Sequence, residues 1–138
     1  MAVQMELARV LIRETDDTHV VELREVGVPE EDARVFPIVI GLMEAAAIER
    51  RLMGQLPPRP QTHELLESVI KSLGFELERI GINDLRDHTF FATLHLRSES
   101  GVCEVDSRPS DAIALGATCD TPIYVAEHVL DEVCGSEI

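Results

Sequence analysis

The feature that most constrains the fold is a strand-to-helix corner in the last third of the chain. A β-type run at residues 102–105 ends at Asp106, and an alanine-rich helical pattern begins within three residues. Ser107, Pro109 and Asp111 all suit the first turn of a helix. Two carboxylates and one guanidinium therefore lie within six residues, which is more charge than a helix cap requires.

Length and composition fit one folded domain spanning residues 1–138. The chain is 45% hydrophobic and 28% charged but only 4% aromatic, so its core is expected to be aliphatic.

No apolar run is long enough to cross a membrane, and the first residues do not resemble a signal peptide. Three cysteines without CxxC spacing indicate neither a disulfide framework nor a zinc site, and we expect them to be buried. A cytoplasmic protein without a membrane partner is predicted.

The charge is strongly acidic. With 26 acidic and 12 basic side chains, the formal net charge is −14. The molecule as a whole repels nucleic acid phosphates, so a nucleic acid partner would require a local basic patch. All the basic residues except Lys71 are arginines, which favour bidentate contacts with phosphate or carboxylate, although genome base composition explains this bias equally well.

Hydrophobic periodicity and turn residues predict the order β-β-β-α-α-β-β-β-α-β-α. This order is typical of the α+β class, with a mixed, mostly antiparallel sheet and about four helices. The acidic turn at residues 14–17 joins the first two strands in a hairpin. Pro37 predicts that the strand at 35–40 either lies at an edge or contains a bulge. A slip in apolar phase predicts a bulge near Glu78 and Arg79. Strands are predicted at 5–13, 19–24, 35–40, 75–82, 89–97, 102–105 and 123–125, and helices at 42–52, 62–73, 109–116 and 127–133.

The helix predicted at 62–73 has the clearest amphipathic pattern. Thr62 is its expected N-cap and Gly74 its C-terminal stop. One apolar stripe is predicted to pack on the core, formed by Leu65, Leu66, Val69, Ile70 and Leu73. The opposite face is predicted to be solvated, with Glu64, Glu67, Ser68 and Lys71.

A faint internal repeat connects this helix to the corner. Residues 59–63 and residues 108–111 both place Arg-Pro, then a hydroxyl residue, then a titratable side chain at a helix start. We expect the two helix N-termini to converge on one polar site.

The corner permits two interpretations. In the structural one, Asp106 or Ser107 caps the helix, Asp111 complements the helix dipole and Arg108 forms an ion pair. In the functional one, Asp106 and Asp111, helped by Glu44 or by His63, hold a divalent cation such as Mg²⁺ or Mn²⁺, because hard cations prefer carboxylate oxygens. Arg108 and Arg59 would then neutralise charge on a phosphoryl oxygen.

His63 and Glu44 each permit two interpretations as well. His63 lies off the apolar stripe, so it is either a solvated first-turn residue or a proton-transfer group, a role that imidazole serves near neutral pH. Glu44 lies among alanines and requires solvent or a partner, either Arg59 or Arg108. That pair is either structural or catalytic.

Three motifs in this order resemble the bifunctional nuclease domain family: residues 36–41 with Glu44, residues 59–65, and residues 106–115. The resemblance extends over about residues 5–133 and departs from the expected pattern at Glu64, where Asp is expected, and at Gly116, where Ala is usual. It implies a compact α+β domain, and nuclease activity on RNA and DNA is ascribed to some members. The matching polar positions are Glu44, Arg59, Thr62, His63, Asp106, Arg108, Ser110 and Asp111.

The leading hypothesis is a metal-assisted phosphodiesterase acting on RNA, DNA or both. Asp106, Asp111 and Glu44 are the candidate ligands of Mg²⁺ or Mn²⁺ and belong, with His63 as proton shuttle, to the catalytic set. Substrate would be bound by Arg59, Arg108, Thr62 and Ser110. The rival is a non-catalytic regulatory or scaffold module that oligomerises through a sheet edge and binds an anion or a protein at the same corner. A dimer is expected in either case, because dimers are the commonest soluble oligomers.

Overall fold

A computed structural model describes residues 1–13, 15 and 17–135 of the chain. Within those residues there are seven strands, four α-helices and one short 3₁₀ helix, Glu30–Asp32, which confirms the α+β class. The strands are β1 Ala2–Leu11, β2 His19–Glu25, β3 Val35–Ile40, β4 Glu76–Arg86, β5 Thr89–Ser98, β6 Gly101–Ser107 and β7 Ile123–Ala126. The helices are α1 Leu42–Leu52, α2 Thr62–Ser72, α3 Pro109–Gly116 and α4 Glu127–Cys134.

The strands form one mixed sheet in the order β3-β2-β1-β7-β4-β5-β6. Strands β1 to β3 form one antiparallel meander and β4 to β6 a second. Strand β7 joins them, antiparallel to β1 and parallel to β4. The predicted mixed, mostly antiparallel sheet is therefore confirmed. A helix follows the last strand of each meander, α1 after β3 and α3 after β6.

Two local predictions about the sheet are also confirmed. Strand β3, which contains Pro37, lies at one edge of the sheet. The pairing of β4 with β5 slips between Leu77 and Arg79, as the apolar phase predicts. A second slip between Ile82 and Asp84 carries β4 on to Arg86, beyond its predicted end at residue 82. In the predicted hairpin turn, Glu14 and Asp16 lie outside the described residues.

One aliphatic core joins the sheet to α1, α3 and α4. Alternation along β5 buries Ala92, Leu94 and Leu96 on one face of the strand. Helix α3 contributes Ala112 to Leu115, and α4 contributes Val129 and Leu130. Among the described residues, no helix combines the length and the apolar character needed to cross a bilayer.

The orientation of α2 differs from the prediction. Its apolar stripe faces solvent, with Leu65 57%, Val69 45% and Leu73 70% exposed. Ile70 alone of the predicted stripe packs against the core, and only in part. Ser68 and Lys71 are exposed as predicted. Two other residues predicted to be solvated, Glu64 and Glu67, turn inward instead, because both bind a buried arginine.

That arginine is Arg51, the last basic residue of α1, which is only 4% exposed. Its Nε donates to the Ala114 carbonyl over 2.6 Å and its Nη2 to the Leu115 carbonyl over 3.3 Å, which satisfies acceptors in the last turn of α3. Its Nη1 donates to Glu64 Oε2 over 2.7 Å, and its Nη2 donates to Glu67 Oε1 over 3.2 Å. A buried guanidinium requires acidic partners. Helix α2 therefore turns its carboxylates inward, and its leucines remain exposed.

Helix caps and cysteines account for the remaining corrections. Gln61, not Thr62, is the N-cap of α2, and its backbone N–H donates to Glu64 Oε1 over 3.1 Å. The N-cap of α3 is Arg108, because β6 continues through Asp106 to Ser107. The prediction that the cysteines are buried is wrong. Cys103 on the edge strand β6 and Cys119 in the turn after α3 are exposed, and Cys134 is partly exposed.

Candidate functional site

The first turns of α1, α2 and α3 lie close together, α1 following β3 and α3 following β6. Glu44 is the third residue of α1, Asp111 the third residue of α3, and His63 the second residue of α2. His63 Nε2 lies 3.0 Å from Asp111 Oδ1, so the predicted convergence of the two helix starts is confirmed. Glu44 and Asp111 occupy equivalent positions, because each is the third residue of a helix that follows the last strand of a meander.

Arg108 joins the two carboxylates. Its Nε donates to Asp111 Oδ2 over 2.8 Å, its Nη2 to Asp111 Oδ1 over 3.2 Å, and its Nη1 to Glu44 Oε2 over 3.3 Å. A guanidinium has five N–H donors, so these three bonds leave two donors available. The Arg108 side chain is 62% exposed, and a solvent-borne anion can therefore reach the free donors.

Asp111 is held as a carboxylate. Burial alone would raise the pKa of its carboxyl, but hydrogen bonds from Arg108 and His63 outweigh burial and keep the pKa below its usual value. An ionised Asp111 accepts hydrogen bonds only, so the Nε2 of a neutral His63 carries the proton. The free lone pair of that imidazole is then on Nδ1, which makes Nδ1 the nitrogen able to take a proton.

Glu44 owes its position to the residue before α1. Gly41 is the N-cap of that helix, and a Cβ at this position would overlap Glu44 Oε1. Glycine therefore leaves room for the carboxylate to fold back over the helix start. Of the two partners considered for Glu44, the structure shows Arg108 and not Arg59.

A surface cavity of about 310 Å³ opens beside Arg108. Its polar lining comes from Glu44, Arg108, the buried Ser110 and His88, and its apolar lining includes Ile38, Ile40 and Phe90. His88 was not among the residues predicted from the sequence. It lies in the β4–β5 turn, where both Asp87 and His88 have positive φ. A two-residue break between alternating strands is the sequence signal of that turn, but nothing local indicates which cavity the turn adjoins.

Three predicted site residues lie outside this group. Asp106, Arg59 and Thr62 are exposed, and their side chains form no hydrogen bond or ion pair with any described residue. Asp106 belongs to strand β6, opposite Thr93 of β5 in the ladder. The structure therefore brings together Glu44, His63, Arg108, Ser110 and Asp111 and leaves the other three apart.

The predicted carboxylate ligands do not fit a divalent cation as they are arranged. Across residues 1–13, 15 and 17–135, no three histidine, cysteine, aspartate or glutamate side chains are grouped so as to hold a metal ion. Glu44 and Asp111 both direct a carboxylate oxygen at Arg108, so a guanidinium supplies the positive charge that a metal would supply.

Comparison with known proteins connects this geometry to a family. The family model described as the bifunctional nuclease domain matches residues 26–137. An uncharacterized protein of Mycobacterium tuberculosis is 43% identical over 97 residues, which cover 70% of this chain and 57% of that protein. Bifunctional nuclease 2 of Arabidopsis thaliana is 24% identical over 98 residues, covering 69% of this chain and 30% of that protein. Bifunctional nuclease 2 of rice is 27% identical over 94 residues, which cover 66% of this chain and 29% of that protein. The matched segment is thus about half of the mycobacterial relative and under a third of the plant ones.

Proposed function

The chain belongs to the bifunctional nuclease domain family, and we propose that it hydrolyses phosphodiester bonds of RNA, DNA or both at the cavity beside Arg108. The proposal is supported by the family and by the plant relatives that bear the nuclease name. The mycobacterial relative is uncharacterized.

The single observation that carries the proposal is the state of Arg108. Two N–H donors of its exposed guanidinium remain free, while two others donate to the carboxylate of Asp111. Guanidinium donors match the oxygens of a phosphodiester, and a side chain already held in place loses little conformational entropy on binding. The net charge of −14 makes such a local contact necessary, because the remainder of the surface repels the substrate.

His63 supplies the proton transfer in this proposal. Its Nδ1 takes a proton from water as the water oxygen forms a bond to phosphorus. The bond from phosphorus to the leaving oxygen breaks, and that oxygen receives a proton from solvent or from the protonated imidazole. Arg108 stabilises the charge that develops on the non-bridging oxygens. Asp111 orients His63 through the hydrogen bond at Nε2, as carboxylates do in other histidine-dependent hydrolases.

The non-catalytic module remains a second candidate because Arg108 is already paired. Its three bonds to Glu44 and Asp111 give the corner a structural role even without substrate. In that case the free donors would bind an anion or an acidic segment of a protein without chemistry. The two candidates differ in whether bound nucleic acid is cleaved.

The test uses end-labelled single-stranded RNA and DNA incubated with the purified chain, in parallel with Mg²⁺, with Mn²⁺ and with EDTA. Metal ions are included because bound cations activate water in many nucleases. Cleavage in any of the three conditions supports the nuclease proposal. Binding without cleavage in all three favours the module, and the absence of cleavage in all three contradicts the nuclease proposal.

A further inference from the structure

We propose that the outward face of α2 is the contact surface of a homodimer, in which a second copy of this chain packs its own α2 on the first. This inference is independent of the proposed function. It rests on the observation that a helix with a well-defined apolar stripe presents that stripe to solvent.

The spacing of the exposed side chains forms one continuous surface. Leu65, Val69 and Leu73 follow one another at intervals of four residues, and Leu66 lies beside them. Their exposed fractions range from 36% for Leu66 to 70% for Leu73. Exposed apolar residues grouped in this way mark interaction sites, whereas scattered single ones are ordinary.

The same face carries no charge. The residues that share it with the four apolar side chains are Thr62, Ser68 and Ser72. Glu64 and Glu67 turn towards the protein, and the exposed Lys71 pairs with Glu67 on the other side of the helix. Two copies that each carry a net charge of −14 repel one another over most of their surfaces. An uncharged helix face is where two such molecules can approach at the lowest electrostatic cost.

The apolar area of α2 can form the centre of a small dimer interface. Leu65, Leu66, Val69 and Leu73 are 57%, 36%, 45% and 70% exposed. If burial removes roughly 100 Å² for each fully exposed side chain of this size, they offer about 200 Å² per copy and about 400 Å² for a pair. A specific interface buries about 1,000 Å² or more in total, and its buried centre is its most apolar part. Two identical α2 faces related by a two-fold axis would supply that centre, with polar surface around it.

Of the two sheet edges, the one at β6 is less suitable than α2 as the oligomer contact. Strand β6 is exposed along its outer side, but it carries Glu104 and Asp106. Antiparallel pairing of β6 with a second β6 would bring these carboxylates together, and like charges across a ladder are destabilising.

The experiment measures molar mass by sedimentation at several protein concentrations for the intact chain and three variants. The intact chain is expected at twice its 15.3 kDa mass. Val69→Glu places a charge on the face, and Val69→Ser removes apolar area more gently. Each is expected to raise the dimer dissociation constant by at least about tenfold. Val102→Glu changes a valine on β6 that is 67% exposed, against 45% for Val69, and should leave the dimer intact. Circular dichroism checks that every variant is folded.

A monomeric intact chain at tens of micromolar would overturn the inference, as would folded Val69 variants that dimerise like the intact chain. Dimer loss in Val102→Glu alone would assign the contact to the sheet edge instead. A longer form that stays monomeric because another segment covers α2 would also contradict it.

Discussion

Arg51 of α1 and Glu64 of α2 form an ion pair in which Nη1 lies 2.7 Å from Oε2, and this pair sets the direction in which α2 faces. It turns the acidic side of α2 inward and its leucines outward. It also holds the start of α2 beside α3, so that His63 reaches Asp111. A structural ion pair that lies outside the cavity therefore positions one of the proposed catalytic residues.

Arg51→Met is expected to lower the free energy of unfolding by about 3–5 kcal/mol, because it leaves a partly buried carboxylate and two helix carbonyls without their donor. Urea unfolding measures the difference. The matched control is Arg50→Met, since Arg50 also binds Glu64 but is more exposed, and a loss of about 1 kcal/mol is expected there. Equal losses in both variants would contradict the role assigned to Arg51.

Glu64→Gln is expected to change how stability depends on pH. Burial of Glu64 would raise the pKa of its carboxyl, but hydrogen bonds from Arg51, the Gln61 backbone and Arg50 lower it overall. A carboxyl whose pKa is lower in the folded state stabilises the protein above the unfolded pKa of about 4.3 and loses this contribution as the pH falls through the folded pKa. The intact chain should therefore exceed the variant in stability at pH 7, and the gap should shrink below about pH 4.

The control for this pH experiment is Glu99→Gln, a change at an exposed carboxylate that has no ion pair with any described residue. Chemical unfolding at several pH values should give the same curve for this variant as for the intact chain. A gap between Glu64→Gln and the intact chain that stays constant down to pH 3 would show that Glu64 acts through packing rather than charge.

His63→Ala is expected to reduce kcat for cleavage by about 10²-fold or more, with little change in KM, because general base catalysis contributes to the chemical step. His128→Ala is the control, since His128 also contacts an aspartate, Asp84, over 3.4 Å, but that aspartate does not bind Arg108. Steady-state kinetics on a labelled oligonucleotide separates the two parameters. A change in KM alone would show that His63 binds substrate and moves no proton.

Most of the fold could be predicted because local patterns decide it. The bulge near Arg79 and the edge position of Pro37 follow from strand periodicity and from the donor that proline lacks. Convergence of His63 and Asp111 could also be predicted, since both follow an Arg-Pro pair at a helix start. In each case the pattern that supports the prediction lies within a short segment, or within two similar short segments, of the chain.

The wrong predictions concern positions whose structure is determined by contact with residues far away in the chain. The apolar stripe through Val69 predicts a buried helix face, and only the buried Arg51 shows why the opposite face turns inward. Asp106 lies close to Asp111 in sequence, but it belongs to β6 while Asp111 belongs to α3, so the two do not form a ligand pair. His88 reaches the cavity through the β4–β5 turn, a contact that no spacing near residue 88 indicates.

The most direct test of the central claim compares cleavage of single-stranded RNA and DNA by the intact chain, Asp111→Asn and Asp84→Asn under the same metal conditions. Asp84 is a matched control, because it too contacts an arginine, over 2.8 Å from Arg86, and a histidine, His128, but it is not joined to Arg108. The account predicts that Asp111→Asn lowers the rate by about 10²-fold or more, since His63 and Arg108 both lose their carboxylate, and that Asp84→Asn cleaves like the intact chain. Cleavage that survives in Asp111→Asn, or that falls equally in both variants, would contradict it.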